Sequence, residues 1–334
     1  MVQFDLPLAQ LREYTADLVA PADLLEFWQE TLAEGTAMLV SSPRFATPWR
    51  LIDTYDVTFR GYAGSPVRAW LSVPAGNRTR LPTVVQYQGY SGGRSFPESA
   101  NVWASAGYAH VVMDTRGQGY ANGAPAQATP DPLLGSGHAP GFLTAGVESP
   151  AEYYYRRVYT DAVRLVQALG DSPHVDPDRI AVTGRSQGGG VALAVAGLAH
   201  LVGLRLSAVL ADVPFLCAFP RANQVTDAEP YREIDRYLAG WRDRTEVVFR
   251  TLSYFDAALL AATARADALF SVGLVDRVTP PSTVFAAFNR YGLAAEEVTK
   301  EIRVYSHNGH EGGGQYQVHE QAAFLAARLR GVQE

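Results

Sequence analysis

Two serines in this chain sit between glycines in the pattern G-x-S-x-G, as Gly89-Tyr90-Ser91-Gly92-Gly93 and as Gly184-Arg185-Ser186-Gln187-Gly188. At a turn from strand to helix this pattern presents a serine hydroxyl for nucleophilic attack on an acyl group, and the glycines let strand and helix approach. Context separates the two matches. Ile180-Ala181-Val182-Thr183 reads as a strand running into Ser186, and Gly188-Gly189-Gly190 followed by Val191 to Ala196 reads as a close-packed helix start. After Ser91 the run Gly92-Gly93-Arg94-Ser95-Phe96-Pro97 keeps the backbone irregular. Ser186 is the predicted nucleophile. The Ser91 loop, one strand-helix unit earlier, stands where an oxyanion-hole N–H is donated; that role falls to Tyr90, with the N–H of Gln187 as partner. A plain flexible turn is the alternative for Gly89 to Gly93.

A serine of this kind needs a base and an acid, which in α/β-hydrolases follow in the chain order Ser, Asp or Glu, His. His110, His138 and His174 precede Ser186, and His200 lies on the helix after it. Of His307, His310 and His319, the last falls inside the final helix, whereas Ser306 to Gly314 is a glycine-rich loop directly after the last strand. His310, between Gly309 and Glu311, is chosen over His307. The acid is Asp276, which closes the buried run Ala268 to Val275 with a carboxylate at its carboxyl end. Asp212 also ends a strand and is the reserve, with a loop cap beside Pro214 as its structural reading; Asp267 starts its strand and sits at the wrong end.

The elements that must hold these residues follow from periodicity. β-rich runs at 83–88, 108–114, 179–183, 206–212, 268–274 and 301–305 alternate with helical stretches near 98–106, 151–169, 187–200, 282–291 and 315–330. This predicts βαβ units and a mostly parallel sheet covered on both faces, an α/β-hydrolase fold in a single domain over 1–334. Ahead of it, residues 21–36 read as an amphipathic helix packed outside the sheet, and 51–60 with 67–73 as an antiparallel hairpin. Two long segments, an irregular 117–150 and a helical insertion at 213–265, leave the sheet near its carboxyl ends and are placed to roof the pocket. Pro214, Phe215 and Phe219, with Tyr90 opposite, are bulky enough to close a small acyl site, although core packing explains them equally well.

Composition narrows the setting. No stretch approaches the roughly 20 apolar residues that span a bilayer, and no basic-then-apolar leader opens the chain, so neither export nor membrane insertion is expected. Cys217 is the single cysteine, so no internal disulfide forms and the cytoplasm is the default address. A formal net charge of -6 without a run of Lys and Arg argues against nucleic-acid binding. His307-x-x-His310-Glu311 lacks the helical H-E-x-x-H order of a zinc site, so no metal and no organic cofactor is expected.

With Arg116-Gly117-Gln118, Gly184-x-Ser186-Gln187-Gly188 and His310-Glu311 in that order, the chain resembles carbohydrate esterase family 7, the acetyl xylan esterases and cephalosporin-C deacetylases. Tyr153-Tyr154-Tyr155-Arg156-Arg157-Val158, Thr251 to Asp256, Val278 to Thr283 and Phe27-Trp28 are also similar to family segments, so the likeness is nearly full length. The resemblance implies hydrolysis of acetyl esters of small sugars and of the 3′ acetoxy group of cephalosporin C, in cytoplasmic ring-shaped hexamers whose inward-facing sites exclude polymer. It places Ser186, Asp276 and His310 in a triad and Tyr90 and Gln187 in the oxyanion hole, and it makes Arg116, Gln118 and Glu311 loop anchors. Gln88 departs from the family, in which His often precedes the Gly-Tyr of the oxyanion loop, and this bears on the details of the pocket. Two other readings share the fold. A peptidase of the prolyl oligopeptidase group usually carries a large propeller, for which the roughly 80 residues before the first core strand are too few. A binding protein without chemistry would not need all three triad residue types in order.

Overall fold

The computed structural model describes residues 3–122, 129–134 and 141–329. Ten strands form one sheet: β1 (Leu39–Ser41), β2 (Arg44–Phe45), β3 (Ile52–Arg60), β4 (Pro66–Pro74), β5 (Leu81–Tyr87), β6 (Ala109–Met113), β7 (Val175–Arg185), β8 (Ala208–Asp212), β9 (Asp267–Gly273) and β10 (Lys300–Tyr305). Their spatial order is β1-β3-β4-β6-β5-β7-β8-β9-β10, with β2 also pairing β3. From β6 through β10 every pairing is parallel, while β1 to β4 join antiparallel. This is the expected α/β-hydrolase architecture, with the hairpin of β3 and β4 appended at one edge.

The parallel strands are buried on both faces because helices cover both, so their sequences read as continuous apolar runs. Helix Gln187–Leu198 has every residue buried, and its Gly-, Ala- and Val-rich sequence is apolar all round. Helix Tyr154–Leu169 packs in the same core. Edge strand β10 is half-buried along its length and carries Lys300, Glu301 and Arg303, charges that discourage pairing with another chain.

The expected first helix runs over Leu24–Ala33 and buries Trp28, whose indole N–H donates to the Tyr254 carbonyl at 2.9 Å. The 98–106 stretch is shorter than expected, a 3-10 turn (Pro97–Ala100) and one α turn (Val102–Ser105). Helix Leu8–Glu13 and strands β1 and β2 were not anticipated, being too short for a periodic signal. The 213–265 insertion holds four short helices, Phe219–Val225, Arg232–Gly240, Thr245–Ser253 and Ala257–Leu260. The 117–150 segment lies partly outside the described residues; what is described consists of turns and a short 3-10 segment.

Parallel register brings the chemistry to one end of the sheet. Tyr87 of β5 pairs with Gly184 of β7, so Gln88-Gly89-Tyr90 leaves the sheet beside Ser186. Gly273 of β9 pairs with Tyr305 of β10, so the loops carrying Asp276 and His310 also emerge side by side.

Candidate active site

Ser186 occupies the turn between β7 and helix Gln187–Leu198 with φ 57° and ψ -122°, a conformation costly for a residue with a Cβ. The surroundings hold it there: the Ser186 N–H donates to the Asp212 carbonyl at 2.9 Å, and its own carbonyl accepts from Phe215 at 2.9 Å and Gly190 at 3.0 Å. The flanking glycines are required by contact. A Cβ at Gly184 would lie 2.2 Å from the Gly188 carbonyl carbon, one at Gly188 2.2 Å from the Tyr87 carbonyl oxygen, and one at Gly190 2.0 Å from that of Phe215. Strand, turn and helix thus meet backbone to backbone, which leaves the Ser186 side chain facing the cleft.

That cleft, about 500 Å³, is lined by Ser186 and His310 together with Gln88, Tyr90, Glu229 and Val278, among others. His310 sits in the loop after β10, and its Nδ1 lies 2.9 Å from Asp276 Oδ2. Asp276 is fully buried and fully satisfied. Its carboxylate accepts from the N–H groups of Val278 (2.8 Å) and Thr279 (3.1 Å) and from the Thr279 hydroxyl (2.7 Å). These contacts fix the carboxylate, so it aims one oxygen at the imidazole and selects the tautomer that carries its proton on Nδ1. Gly273 lets the two loops meet, since a Cβ there would lie 2.3 Å from the Gly309 carbonyl oxygen. Glu311 braces the His310 loop, accepting from Asn308 Nδ2 at 2.7 Å and from the Gly309 N–H at 3.0 Å.

The competing residues lie elsewhere. Asp212 accepts from Gln317 Nε2 at 2.9 Å and Gln321 Nε2 at 2.6 Å, facing the last helix, and burial raises its pKa to about 6. His307 and His319 are exposed. The Ser91 hydroxyl is buried and does not line the cleft. Its N–H donates to Gln118 Oε1 at 2.7 Å and its carbonyl accepts from Gly119 and Ala121, so Ser91 ties loops together.

Gln187 follows Ser186 directly, and Tyr90 lines the same cleft. Gln187 is the first residue of its helix, so its N–H has no intrahelical acceptor, and no protein acceptor of the Tyr90 N–H occurs among the described residues. The Gln187 side chain reaches back across the elbow, donating to the carbonyls of Gln88 (3.2 Å) and Gly89 (3.3 Å). It exchanges amide hydrogen bonds with Gln118 at 3.0 and 3.2 Å and accepts from the Tyr155 hydroxyl at 2.8 Å. Arg116 forms a buried ion pair with Asp161, and its carbonyl accepts from Tyr154. Arg116 and Gln118 thus tie their loop to helix Tyr154–Leu169 and, through Gln118, to Gln187.

Pro214 and Phe215 are a correction: neither lines the cleft. Phe215 is fully buried, edge-on to Tyr231 at 4.5 Å and to Tyr90 at 6.0 Å, so its ring packs the core behind the oxyanion loop. Phe219 packs likewise against Tyr231. The insertion instead reaches the cleft through Glu229 and Pro230. Sequence reasoning missed two site residues, Thr279 and Glu233. The first had a signal in the Asp-x-x-Thr spacing, an Asx-type turn; the second, which accepts from the Tyr90 hydroxyl at 2.5 Å across 143 residues, had none.

Among the described residues no group of three or more His, Cys, Asp and Glu is arranged to hold a metal ion, and no helix is long and apolar enough to cross a membrane. The profile of the acetyl xylan esterase (AXE1) family matches residues 1–328. An acetyl xylan esterase from Paenibacillus sp. R4 is 36% identical, with 97% of this chain and 100% of that one covered at a TM-score of 0.87. Acetyl xylan esterase 1 from Thermoanaerobacterium sp. JW/SL YS485 is 31% identical, covering 96% and 99% at a TM-score of 0.83. Acetyl esterase Axe7A of Xylanibacter ruminicola is 29% identical over 169 residues, which are 48% of this chain and 35% of that protein's length. On its matched length, its fold and these likenesses, the chain belongs to the acetyl xylan esterase family, a family of carboxylic ester hydrolases.

Proposed function

We propose that this chain removes acetyl groups from small acetylated substrates, acetylated xylo-oligosaccharides and cephalosporin C, through an acetyl-enzyme on Ser186. The observation that carries this reading is the Asp276–His310 contact of 2.9 Å in the cleft that Ser186 also lines. His310 Nε2 takes the Ser186 proton as Oγ attacks the acetyl carbonyl, and Asp276 stabilises the imidazolium that forms. The N–H groups of Tyr90 and Gln187 receive the oxyanion, each donor supplying about 3 kcal/mol of barrier reduction. His310 then protonates the departing alcohol, and water activated by the same imidazole cleaves the acetyl-enzyme.

The substrate class rests on the family's name and on the size of the cleft. Glu229 and Pro230 of the insertion wall it, which favours short acyl groups on small alcohols. Each methylene contact is worth only about 1 to 3 kcal/mol, so acetyl should be preferred over propionyl modestly, while a wall rejects long chains more severely. Initial rates on acetyl, propionyl, butyryl and octanoyl esters of one alcohol should decline gently and then collapse at octanoyl. Acetylated xylan polymer should release acetate more slowly than its oligosaccharides at equal acetyl concentration; equal rates would remove the enclosed site. The family resemblance further suggests a cytoplasmic hexamer, which sedimentation of the purified protein tests.

A further inference from the structure

Resting on this reading of the oxyanion hole, we infer that Glu233 is a positioning residue that fixes the Tyr90 N–H from the far side of its own side chain. Tyr90 is joined to the reaction by its backbone amide, yet its phenol turns into the roof of the site. There the hydroxyl donates to Glu233 Oε1 at 2.5 Å and accepts from the Phe142 N–H at 3.0 Å. The second oxygen of Glu233 accepts from the Leu143 N–H at 3.0 Å. One buried carboxylate therefore ties together three segments distant in sequence: the oxyanion loop, helix Arg232–Gly240 of the insertion, and the turn at 141–143.

The arrangement is more specific than loop packing requires. Glu233 is 4% exposed, and among the described residues no Arg or Lys forms a salt bridge with it, Arg236 acting on it only at longer range. Burial raises its pKa, and its partners are neutral donors. Burying a carboxylate is costly unless hydrogen bonds compensate it, and here one of the two that reach its oxygens comes from the tyrosine whose backbone N–H is the proposed oxyanion donor. Gly89 precedes Tyr90 and leaves that side of its loop without a side chain of its own to hold it. On one side Gln187 holds the carbonyls of Gln88 and Gly89. On the other, Gln118 holds the Ser91 N–H, and the Tyr90–Glu233 bond supplies the fixed point on the Tyr90 side chain itself, so the amide direction is set among these anchors. An oxyanion donor acts only when it is aimed before charge develops, so loosening one anchor weakens transition-state binding and leaves ground-state binding nearly unchanged.

The test compares the wild type with Glu233→Ala, Glu233→Gln and Tyr90→Phe. It measures kcat and KM on an acetyl ester, inhibition by a small alkyl boronic acid that forms a tetrahedral adduct on Ser186, and thermal unfolding. Glu233→Ala and Tyr90→Phe should each lower kcat about 10- to 100-fold, less than outright loss of a donor, and weaken the boronate in parallel while KM moves less than about threefold. The double variant should be much less impaired than the product of the two single effects, since both remove the same bond. Glu233→Gln, which keeps an acceptor for the Tyr90 hydroxyl but opposes its amide to the Leu143 N–H, should fall between. Should Glu233→Ala fail to fold, Tyr90→Phe carries the same test because it deletes only the hydroxyl. A folded variant with kcat and boronate affinity within about twofold of wild type, or a loss confined to KM, overturns the proposal. If instead the wild type itself does not cleave acetyl esters or bind the boronate, the proposed function fails first.

Discussion

At the residue scale the chain separates two carboxylates that look alike in sequence. Asp276 and Asp212 both follow buried strands, but Asp276 meets His310 and three donors of its own turn, whereas Asp212 meets two glutamine amides of the last helix. Asp276→Asn should keep the fold and reduce kcat by about 10⁴, because the imidazole loses the partner that sets its tautomer; Asp212→Asn should cost far less. A near-normal turnover of the Asp276 variant would move the role elsewhere. Asp212 has a separate signature. Its folded pKa of about 6 stands above the ordinary 3.8, so between those values the folded state holds the proton more tightly than the unfolded chain. Its contribution to stability is present below about pH 4 and is lost as pH rises through about 6. Unfolding free energies from pH 4 to 7 should therefore show wild type losing ground to Asp212→Asn as pH rises, and a constant difference would contradict the raised pKa.

At the element scale the nucleophile turn is built from backbone contacts that tolerate no side chain. Gly188→Ala would put a methyl 2.2 Å from the Tyr87 carbonyl oxygen, between β5 and the helix after Ser186. It should destabilise by more than about 3 kcal/mol, read as a lowered denaturant midpoint, whereas Gly203→Ala, with open space around its Cβ but φ 69°, should cost about 1 kcal/mol from strain alone. Equal costs would show that close approach does not govern the elbow. These same contacts explain what was legible in the sequence. Ser186 was readable because its glycines and the apolar runs beside it are consecutive, and β5 to β9 because buried parallel strands leave uninterrupted apolar segments, with β3 and β4 legible instead through the alternation of a hairpin. Thr279 was half-legible through a local turn. Glu233 was not legible, since its partners Tyr90 and Leu143 are brought to it by loops whose course no periodicity encodes. Phe215 was misassigned to the acyl site because position near the sheet end does not reveal which way a ring turns.

At the scale of the whole molecule, one order of parallel strands delivers every proposed participant to one end of the sheet. β5 supplies Tyr90, β7 Ser186, β9 Asp276 and β10 His310, and the insertion between β8 and β9 closes over them through Glu229, Pro230 and Glu233. The central claim is that this convergence performs acyl transfer through Ser186. Acid quenching during steady-state turnover of an activated acetyl ester, followed by peptide mass analysis, tests it most directly. The account predicts one acetyl group on Ser186, absent from Ser186→Ala and unchanged in Ser91→Ala. An adduct on Ser91, or full turnover by Ser186→Ala, would contradict it.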